Sequence, residues 1–576
     1  MSGVPAREES RAVGGEFAVT ARLPALSDVV EFQEGTSVPD FGYYRYVSHP
    51  YLRTIQERLE GVFGCRHSRL AESREIALLE LVLSLRGSAG RTKLCILRAE
   101  GADAPIRDTG FFAPVDAADF EIAGRAADLG RGDVLVLAAV RGQRISAAHL
   151  QEARLAADAG AAVVAVLAEP PERAPRIEGT KFWVTGLGGE RRGGAVLGTS
   201  DRVMGRLSQN MRRRGPYLSA REAAPRHHFQ DGDEDPRGAC ARVSEELCRL
   251  EGGAEAFLYS TGMAAITRVL DLLRRPGRSQ VIAVGHLFSD TYESLRLAPR
   301  RPGEEPNRFL GVDEMDQLPG AVTGQTAAIL TETITNPLND VPDIPLLARV
   351  AKDWGVALVV DNTIATPLLC RPLSLGADIV VHSTTKFLNG RNNHGGGALI
   401  VTRPEHSQGL AGLRARWNDG MSPLEAAALE KGMATLAPRM QRFNSNAGRV
   451  ASFLAGHRAV RRLWFNGHSS HRSHAVAQRI LGGPSSVISF TLARDTLEGL
   501  RAFYDSPLPG VIKAPSLGSN LTLLCPYTML THYHDTDEQL QAIGLPRWLV
   551  RVAVGCEEKI EPVIASLDEA LERSLG

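Results

Sequence analysis

From about residue 240 onward, short β-branched apolar runs alternate with amphipathic stretches. In the segment 241–253, ARVSEELCRLEGG, apolar residues recur at helical spacing and the run stops at two glycines, which predicts a helix. Phe257-Leu258-Tyr259 then leads through Ser260-Thr261-Gly262-Met263 into a second helical pattern, AAITRVLDLL. Continuous apolar runs at 281–285, 327–333, 356–362 and 378–384 predict buried strands, and PLLARVAKDWG supplies a helix between two of them. These are βαβ units, hence a mostly parallel sheet, and ligands of such sheets bind at the carboxyl ends of the strands. After residue 440 the pattern changes. A long helical segment, QRFNSNAGRVASFLAGH, is followed by strand-like SSVISFTLARD and WLVRVAVGCE and a last helix, PVIASLDEALERSL. That order predicts a smaller α+β domain.

Composition narrows the class without naming the chemistry. At 576 residues the chain is too long for one ordinary domain. Lys+Arg and Asp+Glu both total 66, so no global field favours nucleic acid or an anionic membrane. No apolar run is long enough to span a bilayer, and the opening MSGVPAREESRAVGG lacks the apolar core of a secretory signal. Residues 1–34 read as a flexible tail. The cysteines at 65, 95, 240, 248, 370, 525 and 556 have no CxxC spacing, so neither a zinc site nor a disulfide framework is indicated. The expectation is reduced cysteines in a cytoplasmic protein. His468, His471 and His474 sit close together, but no metal site is expected there.

Candidate chemistry gathers at the strand ends. The run Ile379-Val380-Val381 ends in Ser383-Thr384-Thr385-Lys386, followed by a loop rich in glycine and asparagine. A lysine there, with two hydroxyls before it, is what a pyridoxal phosphate Schiff base needs: an amine for the aldehyde, hydroxyls for the phosphate. Asp361 ends another strand, where a carboxylate could keep a pyridine nitrogen protonated. Gly262 and Met263 open a helix whose free amides favour a phosphate. Phe288 offers a stacking face, Glu332 and Asn336 offer polar groups for a ring hydroxyl, and Arg551 suits a bidentate grip on a carboxylate. Each alone could be structural; together, and in this order, they point to one site.

With these motifs in view, residues from about 240 to the end resemble the Cys/Met-metabolism pyridoxal phosphate enzymes, the cystathionine γ-synthase group of fold-type I. The stretches that carry the resemblance are LYSTGMAAI, TETITNPLNDVPDI, VVDNTIATPLLCRPLSLGADIVVHSTTKFLNG, KGMATLAPRMQRFNSNA, SLGSNLTLLCPYTMLTH and LVRVAVGCEE. The resemblance implies that Lys386 is the Schiff-base lysine and that Asp361 pairs the ring nitrogen. It implies that Gly262, Met263, Ser383 and Thr385 hold the phosphate, that Phe288 stacks, and that Asn336 lies beside the ring hydroxyl. Ser516 and Arg551 would hold a substrate carboxylate. Phe288 departs from the usual tyrosine, and the loop Phe288-Ser289-Asp290-Thr291 lacks the cysteine of methionine γ-lyases.

The family also uses a Tyr-x-Arg pair on the phosphate, donated across a dimer, and HHFQDGDEDPRGACARV, where it is expected, has none. It stands instead at Tyr43 and Arg45, in FGYYRYVSHP. Further echoes follow. ISAAHLQEARLAADAGAAVVAV (145–166) parallels IPLLARVAKDWGVALVVD (344–361), and KFWVTGLGGERRGGAVLGT parallels DIVVHSTTKFLNGRNNHGGGALIVT with no lysine at the Lys386 position. Lys181 is expected to precede its strand and to be unrelated to Lys386. The expected layout is therefore a tail (1–34), a degenerate α/β copy of the large domain (35–205), a linker (206–238), a cofactor-binding large domain (239–440) and a small α+β domain (441–576). It resembles the long, two-part fungal-type cystathionine γ-synthases. The expected assembly is an internal pseudo-dimer in which the degenerate copy lends Tyr43 and Arg45, and further homo-oligomerisation is compatible with it.

The activity these readings imply is γ-replacement on an O-acyl- or O-phosphohomoserine with a thiol such as cysteine, catalysed by Lys386 with Tyr43. Alternatives are a carbon or nitrogen nucleophile, a cystathionine β- or γ-lyase, and a non-catalytic protein on the same fold.

Overall fold

The computed structural model describes residues 236–298, 303–417, 419–532 and 535–576 throughout, and, within the first 235, chiefly the strands and helices named below. The chain forms two compact units, 46–230 with 412–420, and 231–411 with 421–576 and the first 45 residues. Tyr43 and Arg45 lie outside the described residues.

The N-terminal unit holds strands β1 (His67–Ala71), β2 (Thr92–Arg98), β3 (Phe120–Ile122), β4 (Val134–Ala139), β5 (Ala162–Leu167), β6 (Thr180–Gly186) and β7 (Gly194–Gly198). They make one seven-stranded sheet in the order β1-β7-β6-β5-β4-β2-β3. β7 runs antiparallel to both neighbours and every other pair is parallel. Helices Ala147–Asp158 and Asp201–Arg214 belong to this unit. Two expectations are corrected here. Helix Asp201–Arg214 runs through the expected start of the linker at 206, because Met204, Leu207 and Met211 form one apolar stripe buried in the same core as Val164, Val184 and Val196. Lys181 does not precede its strand; it is the second residue of β6.

The second unit begins with helix Ala239–Glu251, closed by left-handed Gly252. Its large sheet comprises β8 (Glu255–Tyr259), β9 (Gln280–Val284), β10 (Arg308–Leu310), β11 (Thr326–Glu332), β12 (Ala357–Asp361), β13 (Ile379–Ser383) and β14 (Gly397–Val401). Their order is β10-β9-β11-β12-β13-β14-β8, with β14 antiparallel to β13 and β8 and the rest parallel. The β-branched runs form its middle, where β11 and the first four residues of β12 and β13 are buried. All four strands expected between 281 and 384 are found within a residue of their expected ends.

The small domain carries β15 (Val460–Trp464), β16 (Val487–Leu492), β17 (Val511–Lys513), β18 (Thr522–Pro526) and β19 (Val550–Ala553), ordered β15-β16-β19-β18-β17. The expected boundary at 440/441 falls inside a single helix, Leu436–Gly456. Leu436, Met440 and Phe443 on its first half enter the large-domain core; Ala447, Val450 and Leu454 on its second half enter the small-domain core. The expected tail is also corrected at Leu26, which is fully buried in the small-domain core and whose amide donates to Asp505 Oδ1 at 2.7 Å. Among the described residues no helix is long and apolar enough to cross a membrane.

Candidate active site

The carboxyl ends of β8, β11, β12 and β13 bring the expected residues together. β13 ends at Ser383, and a short turn sets Lys386 three residues on, with its amide bonded to Ser383 O. Lys386 Nζ donates to Ser516 Oγ at 2.9 Å. Burial, assisted by the positive charge of Arg551, pushes the Lys386 amine down to about 7. Arg439 fixes the turn from below: its guanidinium donates to Phe387 O (2.8 Å), Leu388 O (3.1 Å) and Gly432 O (2.9 Å).

Arg551 lies buried on β19. Its Nη2 donates to Pro515 O (2.6 Å) and Ser516 O (2.8 Å), and its Nη1 donates to Asn336 Oδ1 at 3.2 Å. Asn336 in turn donates from Nδ2 to Tyr527 Oη at 3.2 Å, and the Arg551 guanidinium stands 5.1 Å over the Tyr527 ring. Tyr527 is a site residue that the sequence reading missed. Burial raises its hydroxyl well above the usual phenol range, so it is neutral here.

Glu332 and Asp361 end neighbouring parallel strands in register. Burial raises both carboxyls, and the Asp361 charge raises Glu332 further. Glu332 Oε1 accepts from the Phe288 amide at 2.5 Å, which places Phe288 at the start of helix Ser289–Arg296. Asp361 Oδ1 accepts from the Thr363 amide at 2.9 Å. Behind Asp361, Glu251 Oε1 takes hydrogen bonds from His382 Nε2 (2.6 Å) and Asn362 Nδ2 (2.8 Å), a buried network that also went unread.

Helix Gly262–Leu273 starts beside Ser383. A Cβ on Gly262 would stand 2.8 Å from Ser383 Cβ, so only glycine allows this approach. Thr261 caps the helix by accepting from the Ala264 amide at 3.0 Å. The first intrahelical bond is Ala265 N to Thr261 O, so the amides of Gly262 and Met263 precede the ladder. Thr385 Oγ1 contacts the Gly396 backbone, accepting from its amide at 3.2 Å. The three histidines make structural bonds: His468 with Ser470 Oγ, His471 with Leu338 O, and His474 with Asn466 O.

These residues fit pyridoxal phosphate. Ser260 Oγ is buried at the helix start with no hydrogen-bond partner among the described residues, as a hydroxyl reserved for an anion would be. The lysine amine has been brought close to neutrality, and two carboxyls stand side by side where a ring cation would relieve both. A lysine beyond the sixth strand of this sheet, a carboxylate ending the fifth and an anion-ready helix start define a pyridoxal phosphate enzyme of fold-type I.

Comparison with known proteins gives the family. The chain belongs to the Cys/Met metabolism PLP-dependent enzymes, whose family model matches residues 239–572. It is 34% identical over 326 residues to a cystathionine γ-lyase of Bacillus subtilis, covering 57% of this chain and 84% of that one. It is 33% identical over 337 residues to a cystathionine γ-synthase of Mycobacterium leprae, covering 58% and 83%. Among solved structures, the cystathionine γ-synthase of Xanthomonas oryzae pv. oryzae in complex with cystathionine matches with a TM-score of 0.54 and 31% identity, over 58% of this chain and 85% of that one.

Proposed function

We propose that the enzyme performs γ-replacement on an activated homoserine, O-acyl or O-phospho, with a thiol such as cysteine. The coarser description, a pyridoxal-phosphate-dependent reaction of transsulfuration type, follows from the family and its relatives. One cluster supports this reading: Lys386 on Ser516, and Ser516 on Arg551. It puts a proton carrier and a carboxylate receptor side by side, as an α-amino acid substrate requires.

When bound, pyridoxal phosphate supplies the electron sink for negative charge at the substrate's Cα. Lys386 Nζ would hold it covalently, with Asp361 at the ring nitrogen, Asn336 at the ring hydroxyl and Phe288 on the ring face. Gly262, Met263, Ser383 and Thr385 would take the phosphate. Arg551 then receives the substrate carboxylate, with Ser516 beside it. An amine titrating at about 7 both accepts and returns protons near neutral pH, so Lys386 can serve Cα and Cβ in turn. Phe288 has no hydroxyl to share that work. In the net reaction the γ-acyloxy or phospho group leaves, the sulfur of the thiol takes its place, and the thiol proton departs with the displaced group.

Similarity to a γ-lyase supports elimination as the second reading. The absence of a cysteine in Phe288-Ser289-Asp290-Thr291 argues against a methionine γ-lyase, and similarity to cystathionine γ-synthases supports replacement. A panel of O-succinyl-, O-acetyl- and O-phosphohomoserine, each with cysteine, tests the choice. Cystathionine formation is expected; release of 2-oxo acid and ammonia from cystathionine without an added nucleophile would establish the lyase instead.

The sequence also supports Tyr43 and Arg45 as completing the phosphate site, within an internal pseudo-dimer. Arg45→Ala should then weaken cofactor retention, and unchanged retention would remove that part of the proposal.

A further inference from the structure

The two seven-stranded sheets are built on one plan. Counted along the chain, the strands of each sheet stand in the order 1-7-6-5-4-2-3, and in each the seventh strand alone runs against the other six. The fifth strand follows a helix in both, Ala147–Asp158 before β5 and Ile344–Trp354 before β12. The sequence match of Asp158 to Asp353 and Gly160 to Gly355 puts the first residue of β5, Ala162, on the first residue of β12, Ala357. Sheet order, strand direction and the start of the fifth strand therefore all agree between the two units.

From that anchor the strand registers carry the comparison across the sheet. Val166 takes the place of Asp361. Its neighbours are Ala138 and Val184, where Asp361 has Glu332 and Val381. Lys386 lies five positions after Val381, and five positions after Val184 stands Gly189. Val196 and Leu399 correspond on the seventh strand, and Arg69 and Phe257 on the first. Glu72-Ser73-Arg74-Glu75 therefore occupies the place of Ser260-Thr261-Gly262-Met263 in the sequence. The Schiff-base lysine is a glycine, both carboxylates are aliphatic, and two acids flank the anion position. The first 238 residues contain only two lysines, Lys93 and Lys181. Both are the second residue of their strands, β2 and β6, at the edge opposite to the one where parallel sheets bind ligands.

We propose that the N-terminal unit is a divergent second copy of the cofactor sheet that no longer holds pyridoxal phosphate, so that each chain carries a single cofactor. This rests on the assignment of Lys386 above. The test saturates the full chain with pyridoxal phosphate, reduces it with borohydride, and counts and maps the pyridoxyl groups by intact mass and peptide analysis. One group per chain is expected, on the peptide bearing Lys386, and none in Lys386→Ala. A second group, on Lys93 or Lys181, would overturn the proposal and leave the active-site assignment standing. No group anywhere in the wild-type chain would instead overturn the active-site assignment, and with it the claim that one of two copies keeps the cofactor.

Discussion

If the Lys386 amine titrates at about 7, the apoenzyme should capture pyridoxal phosphate fastest above neutrality, with half-maximal rate near that pH. The neutral amine is the nucleophile, so the rate follows its fraction. An ordinary lysine, titrating near about 10.4, is only about 0.1% neutral at pH ~7.5, whereas a group at about 7 is roughly three-quarters neutral. The structure thus implies an advantage of several hundred-fold at that pH. Stopped-flow absorbance near ~420 nm from about pH 5.5 to 9.5 measures it, with a free lysine derivative as the reference for the cofactor's own titration. Arg551→Gln removes the second cause of the depression and should move the midpoint upward. A midpoint at or above about pH 9 in the wild-type chain would refute the argument, because burial beside Arg551 would then not be setting the amine.

Other residues give sharper single outcomes. Tyr527→Phe leaves the ring over Arg551 but strands the buried Asn336 Nδ2, an expected cost of about 1–3 kcal/mol in apoenzyme stability by denaturant titration. Tyr527→Ala also removes the ring and should raise the substrate KM well beyond any effect of the phenylalanine variant. Gly262→Ala drives a methyl into Ser383, so cofactor retention in gel filtration should fall at least about tenfold. Glu332 has a raised pKa, so the folded state binds its proton more tightly than the unfolded one; its stability contribution is complete below the ordinary carboxyl range and is lost as pH rises through the folded value. Glu332→Gln should therefore make the apoenzyme more stable at pH ~8 and about as stable at pH ~4. Equal stability at both pH values would contradict the shift.

The site was legible in the sequence wherever a strand ended on a chemically unusual residue. Runs such as ALVVD and DIVVHS announce buried strands, so Asp361 and Lys386 had to lie at one sheet edge. Tyr527 was not legible, since it directly follows Pro526, the last residue of β18, and its partners, Asn336 and Arg551, are distant in sequence. The domain boundary was hidden for a related reason. The apolar stripe of Met440, Phe443, Ala447 and Val450 continues unbroken, and only the identity of the two cores tells one half from the other. Strand β10 escaped notice because Arg308–Leu310 is short and largely exposed at the sheet edge.

Helix Leu436–Gly456 acts as a common axle for the catalytic unit. One end is keyed into the core beneath the cofactor sheet, the other into the core beneath Arg551, and Arg439 along its length grips the turn that carries Lys386. A rigid shaft of this kind leaves the lysine and the carboxylate receptor little freedom to drift apart. It also couples the melting of the two cores: either one, on losing its packing, would loosen the mounting of the other, so residues 239–576 should unfold in a single cooperative step.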